Sequence, residues 1–158
     1  MCAFFVGDSM NYMKAALKEA FKAYKAGDVP VGAVIVKNNK IISKAHNTKE
    51  KNKNAINHAE LLVINKACKK LNTWHLNDCI LYTTMEPCMM CCGAIIQSRI
   101  KEIHYILDND QFGCLKLLEK NNIIIKENDD SYKNMINDFF IKLRVDNVSR
   151  ETLKNEIK

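Results

Sequence analysis

The side chains best able to do chemistry together lie in two short stretches, "HAE" at residues 58 to 60 and "EPCMMCC" at 86 to 92. His58 offers an imidazole nitrogen, Cys88 and Cys91 offer thiolates, and a catalytic zinc site needs three such protein ligands with a fourth position open to water. Two sulfurs bound to one metal at ~2.3 Å must lie within roughly 4.6 Å of each other. Cysteines three apart at the start of a helix meet that condition, because their Cβ atoms are about 5–6 Å apart. Glu60, two residues from His58, can lie beside the metal without binding it, taking a proton from water and returning it to a leaving group.

Each residue also has a plainer role. A lone His58 is more often structural or on the surface, and a lone Cys88 or Cys91 is more often a small core residue. A redox pair would explain C-x-x-C, but nothing before Pro87 looks thioredoxin-like, and His58 and Glu60 would have no job. A structural zinc usually takes four protein ligands; Cys92, His46, His75 and His104 are available, none at a supporting spacing. The ordered pairing of H-x-E with P-C-x-x-C is the signature of zinc deaminases that act on nucleobases. Cys92, four residues from Cys88, lies near the same helical face and is expected to be a packing residue.

The elements that must position these groups follow from periodicity. Ser9 precedes "MNYMKAALKEAFKAYKAG", where Met13, Ala16, Leu17, Ala20, Phe21 and Tyr24 recur at helical spacing and Gly27 offers a left-handed stop. "VPVGAVIVKNNKIISKAHN" reads as two strands around the turn residues Asn38 and Asn39. "TKEKNKNAIN" reads as a loop. Asn57, with Glu60 three residues on, is the expected cap of a buried helix "HAELLVINKACKKL". "CILYTTM" reads as a strand, and Pro87 suits the first turn of a helix running to about Arg99. "EIHYIL", "CLKLLEK" and "NIIIKE" read as strand, helix and strand, and "SYKNMINDFFIKLR" as a closing amphipathic helix. An opening hairpin followed by alternating strands and helices implies an α/β fold, a mixed sheet with helices on both faces.

Composition narrows the class. At 158 residues the chain is expected to form one domain large enough to bury a core without staples. Its apolar runs are too short to span a bilayer, and "MCAFFVGDSM" has neither a basic n-region nor a long h-region, so no membrane helix or secretory signal is expected and the protein reads as cytoplasmic. Seven cysteines, an odd and unevenly spaced set, suit free thiols and metal ligands better than a disulfide framework. The formal charge of +6 permits an anionic partner but does not by itself identify one.

Over roughly residues 10 to 145 the chain resembles the cytidine-deaminase-like superfamily and, within it, the tRNA-specific adenosine deaminases. The resemblance is carried by "DVPVGAVIVKNNKII", "HN" at 46 and 47, "NHAE", "LYTTMEPCMMCCGAIIQSRI" and "NDFFIKLR". It implies a three-layer α/β/α domain over residues 1–145 with a mixed five-stranded sheet, a charged tail at 146–158, one zinc per chain, a homodimer, and hydrolysis of adenosine to inosine at the wobble position of a tRNA anticodon. By resemblance His58, Cys88 and Cys91 are the zinc ligands, Glu60 the proton shuttle, and Asn47 a hydrogen-bond partner of the target nucleoside. Val29, Val31 and Met85 would line the base pocket, and Lys142 and Arg144 would hold RNA phosphates, with Lys49, Lys51 and Lys53 as further candidates. In "LDNDQFGC", Asn109 falls where bacterial members usually carry an aspartate contacting RNA, and their usual Lys-Thr-Gly run is absent; a register slip of one would put Asp108 there. Related enzymes act on free guanine, cytosine, cytidine or deoxycytidylate with the same metal core, and a non-catalytic RNA-binding subunit is a further alternative.

Overall fold

The computed structural model describes residues 6–127 together with Asn134, Asn137, Ile141 and Val145. Met1–Glu127 forms one compact unit and Asn128–Lys158 a second, and the elements below all belong to the first. The first helix, α1, is Val6–Lys25, so it is already under way before Ser9, which does not cap it. Met13, Ala16, Ala20 and Ala23 recur every three or four residues and are buried, which gives α1 one apolar face. Gly27, at φ +79°, takes up the left-handed backbone that ends the helical segment.

Strands β1 (Gly32–Lys37) and β2 (Lys40–His46) form the expected antiparallel hairpin. Its two turn residues, Asn38 and Asn39, have φ of 49° and 59°, the left-handed pair that a tight two-residue hairpin requires and that asparagine tolerates. β1 also pairs antiparallel with β3 (Cys79–Thr83), which runs parallel to β4 (Glu102–Tyr105), itself parallel to β5 (Ile124–Glu127). The result is the expected mixed five-stranded sheet, in the order β2-β1-β3-β4-β5.

Alternation along β1 sends its residues to two different layers. Ala33 and Ile35 enter a core cluster with Val63 and Ala67 of α3 (Ala59–Leu71), Ile95 of α4 (Met89–Gln97) and Leu118 of α5 (Leu115–Lys120). Gly32 faces α1, where a Cβ would run into the Ala16 carbonyl oxygen and the Ala20 nitrogen, so glycine is what lets helix and strand approach. With α1 on one face and α3, α4 and α5 on the other, the fold is a three-layer α/β/α sandwich. Ile35, Leu81, Ile95 and Ile103 are fully buried, and truncating any one to alanine would cost about 2–5 kcal/mol.

One stretch expected as loop holds a short helix, α2 (Lys49–Asn52). Asp28 explains it: its Oδ2 accepts the backbone N–H of Glu50 and of Lys51, each at 3.0 Å, satisfying donors that a helix start leaves free. The expected closing helix from residue 131 lies largely outside the described residues, and its four described positions are helical. Lys142, Arg144 and the 146–158 tail lie outside them entirely. Among the described residues, no helix is long and apolar enough to cross a membrane.

Candidate metal centre and catalytic cleft

Both chemical stretches sit where a helix begins, but neither helix starts at the residue expected. His58, not Asn57, is the N-cap of α3, with extended backbone at φ −77° and ψ 147°. Asn57 Nδ2 donates instead to Thr48 Oγ1 at 3.2 Å, which ties down the loop before the helix. Glu60 is therefore the second residue of α3, and its carboxylate turns inward, 4% exposed, rather than closing a capping box. Similarly, Cys88 is the N-cap of α4, so Pro87 precedes the helix rather than opening its first turn. The Cys92 N–H reaches the Cys88 carbonyl at 2.8 Å as the first helical bond. An N-cap and the third residue of its helix share one turn, which brings Cys88 and Cys91 together at a partly positive helix end that favours thiolate.

The sheet then joins what the sequence separates. His58 Nδ1 lies 3.6 Å from Cys88 Sγ and 3.7 Å from Cys91 Sγ, and the three ligand atoms all fall within 4.8 Å of one another. A tetrahedral zinc with metal–nitrogen and metal–sulfur bonds of ~2.05 and ~2.3 Å would set nitrogen and sulfur about 3.6 Å apart. The donor set and its spacing fit such an ion, and among the described residues no other group of His, Cys, Asp or Glu does. The other candidates are engaged elsewhere. His46 Nδ1 meets Glu19 at 2.9 Å, His75 stacks on Trp74, and His104 Nε2 meets Glu102 at 2.8 Å. Cys92 is fully buried in the core cluster, its thiol directed at the carbonyls of Pro87 and Cys114, and burial pushes its pKa up to about 12.

The local electrostatics suit a cation. The Cys91 side chain, bonded to Cys88, and then His58 overcome burial and hold the Cys88 thiol down at about 4. The same hydrogen bond with Cys88, together with burial, pushes Cys91 up. The bond to Cys88 likewise raises His58. Glu60 is raised above the ordinary carboxylate range, chiefly by burial. Its donors are neutral and distant: Thr83 Oγ1 at 3.4 Å and Cys91 Sγ at 3.6 Å.

These groups open into a cleft of about 810 Å³. Val29, Val31, Asn47, Met85 and Asn109 all line it, whereas Asp108 does not. Asn47 is held by its N–H on the Val31 carbonyl at 3.0 Å and by Nδ2 on the Val29 carbonyl at 3.4 Å. Asn109 donates its backbone N–H to Glu86 Oε2 at 3.0 Å and accepts the Phe112 N–H on Oδ1 at 3.1 Å. Glu86, Phe112 and Gly113 also line the cleft and were not singled out from the sequence. Glu86 could have been noticed beside Pro87; Phe112 and Gly113 reach the site through tertiary contacts, an isolated antiparallel bridge between Gly113 and Cys88 and hydrogen bonds to Asn109.

Comparison with known proteins gives the same picture. Residues 7–144 match the family described as MafB19-like deaminase. A tRNA-specific adenosine deaminase of Bacillus subtilis is 50% identical over 65% of this chain and 64% of its own length, so the match spans just under two thirds of that relative. One of Aquifex aeolicus is 48% identical over 67% of this chain and 71% of its own length. Among solved structures, one from studies of A-to-I editing by tRNA:A34 deaminases at the wobble position superposes with a TM-score of 0.72 at 29% identity, covering 77% of this chain and 99% of that one. A guanine deaminase from Bacillus subtilis superposes at 0.61 with 36% identity, covering 73% and 70%. The chain belongs to the MafB19-like deaminase family and, within it, groups with the tRNA-specific adenosine deaminases.

Proposed function

We propose that this protein hydrolyses adenosine to inosine at the wobble position of tRNA anticodons, with one zinc ion per chain. The observation that carries the reading is His58 Nδ1 at 3.6 and 3.7 Å from two cysteine sulfurs, with a buried, proton-accepting Glu60 beside them in an open cleft. Zinc held by His58, Cys88 and Cys91 would supply a Lewis acid that activates water. Glu60 takes a proton from water and delivers it to the exocyclic nitrogen as the water oxygen bonds to carbon 6 and the carbon–nitrogen bond breaks, so that adenosine and water become inosine and ammonia. Its raised pKa suits both halves of this task, since a carboxyl that gives up and regains its proton readily must not be held as a permanent anion.

Asn47 offers a fixed side-chain amide to the nucleoside, and Val29, Val31 and Met85 apolar surface to the base. Asn109 lines the same cleft. The target base has to leave its stack to reach the metal, which costs less in a single-stranded anticodon loop than in a duplex. Lys142 and Arg144 are assigned to phosphates, the domain to residues 1–145, the assembly to a homodimer and the location to the cytoplasm. The family match over 7–144 supports the single domain, and the names of the relatives support a tRNA partner.

The rival reading with an observation behind it is a free-base deaminase, given the likeness to a guanine deaminase. A non-catalytic RNA-binding subunit is disfavoured because Glu60 would have no use. Purified protein loaded with zinc is expected to form inosine in an anticodon stem-loop carrying adenosine at the wobble position. No product there, with turnover of free guanine or cytosine, would replace this reading with the rival. Stem-loop affinity should also fall steeply with salt, as phosphate contacts by lysine and arginine require.

A further inference from the structure

Phe112 is 63% exposed, yet it lines the cleft, where it is the one phenylalanine, tyrosine or tryptophan among the described residues. Leaving a large apolar ring in water at the mouth of a site needs a reason. The backbone beneath it is tightly fixed. The Phe112 N–H donates to Asn109 Oδ1 at 3.1 Å, and the Gly113 N–H to the Asn109 carbonyl at 2.8 Å. The Asn109 N–H is held in turn by the Glu86 carboxylate at 3.0 Å, and the Glu86 N–H by the Leu107 carbonyl at 2.7 Å. Gly113 has no room for a side chain, since a Cβ there would meet that same carboxylate. Gly113 is also the bridge partner of Cys88, so the ring stands one residue from a backbone paired with a metal-ligand residue.

On the reading given above, the substrate is a single strand whose target base enters the cleft while the chain continues past its rim in both directions. We propose that Phe112 is a stacking subsite for the nucleobase next to the target, presented at fixed height by the clamp of Glu86, Asn109 and Gly113. An unpaired base offers a π-face whatever its identity, and stacking on an aromatic side chain is the general means of holding one. The subsite anchors the neighbour and so helps keep the target base extruded. Glu86 acts through the loop and is a positioning residue.

The test is steady-state kinetics of wild type, Phe112→Ala and Phe112→Tyr on the wobble-adenosine stem-loop and on two versions made abasic at the 5′ or the 3′ neighbour. Phe112→Ala is expected to raise KM about tenfold or more on the intact stem-loop with kcat little changed, and Phe112→Tyr to keep the wild-type KM. On one of the abasic substrates the wild-type KM should rise similarly, and Phe112→Ala should then add nothing. An unchanged KM, or an equal Phe112→Ala penalty on all three substrates, would overturn the subsite while leaving the proposed activity standing. A wild-type protein that forms no inosine in the intact stem-loop would overturn both.

Discussion

Glu60 and Glu19 are almost equally withdrawn from solvent, at 4% and 5% exposure, on helices packed against opposite faces of one sheet. Their surroundings push them in opposite directions. For Glu19 burial favours the neutral form, but Lys22 Nζ at 2.6 Å and His46 Nδ1 at 2.9 Å outweigh it, and the pKa falls below the ordinary carboxylate value. For Glu60 burial prevails over the backbone bond and the nearby His58, its side-chain donors are a hydroxyl and a thiol at long range, and the pKa rises. Near-equal exposure therefore yields two different groups, because Glu60 is the more deeply enclosed of the two and Glu19 faces two basic partners. A carboxylate matched by basic partners keeps its charge and ties α1 to β2; one left short of them beside an opening is ready to exchange a proton.

The largest expected effects are at the second of these sites. Cys91→Ala should lower bound metal from about one ion per chain to almost none by elemental analysis, because two remaining ligands do not make a catalytic zinc site. Turnover should disappear with it. Glu60→Gln should retain the metal and lower kcat by about 10²–10⁴-fold, the usual contribution of a positioned acid–base group. In metal-free protein, where burial raises the Glu60 pKa, a carboxyl with a raised folded pKa works against folding once pH exceeds its unfolded value, so Glu60→Gln should not lower the Tm at neutral pH. A clear fall in Tm, or loss of metal, would erase the contrast with Glu19.

At the first site the effect is on stability. Glu19→Gln should cost about 1–3 kcal/mol in denaturant unfolding at pH 7, the range for hydrogen bonds to a charged group, with the metal site still loaded. The pH dependence has a definite sign. A depressed folded pKa contributes stability above the unfolded carboxylate value of about 4.3 and loses it as pH falls through the folded pKa. Wild type and Glu19→Gln should thus differ at neutral pH and converge in acid; a constant gap down to pH 2 would show that packing, not charge, is responsible. Smallest of all, Cys92→Ala should keep metal and turnover and cost no more than about 1–2 kcal/mol, as removal of one buried sulfur requires.

Much of the fold was legible because local signals agreed with tertiary needs. Asn38 and Asn39 marked the hairpin, and the apolar spacing of α1 and α3 marked buried helices in the right order. Where local signals were weak, register slipped by one or two residues. Asn57 and Pro87 looked like helix starts, but Thr48 claims the Asn57 amide, and α4 begins two residues after the proline. The helix α2 could not be seen at all, since its start is held by Asp28 from more than twenty positions away.

The sequence by itself determined the inventory of the site: one imidazole, two thiols a helical turn apart, a carboxylate two residues from the imidazole, and elements that begin helices at both motifs. Only the tertiary structure decided how they are used. Pairing of β1 with β3 brings His58 within reach of cysteines 30 and 33 positions away, and sets Cys91 against the imidazole while Cys92 joins the core. It also decides which of two buried glutamates faces basic partners and which is left without them. Ligand spacing within one turn is set by the chain, whereas desolvation and distant partners arise only when separate elements pack.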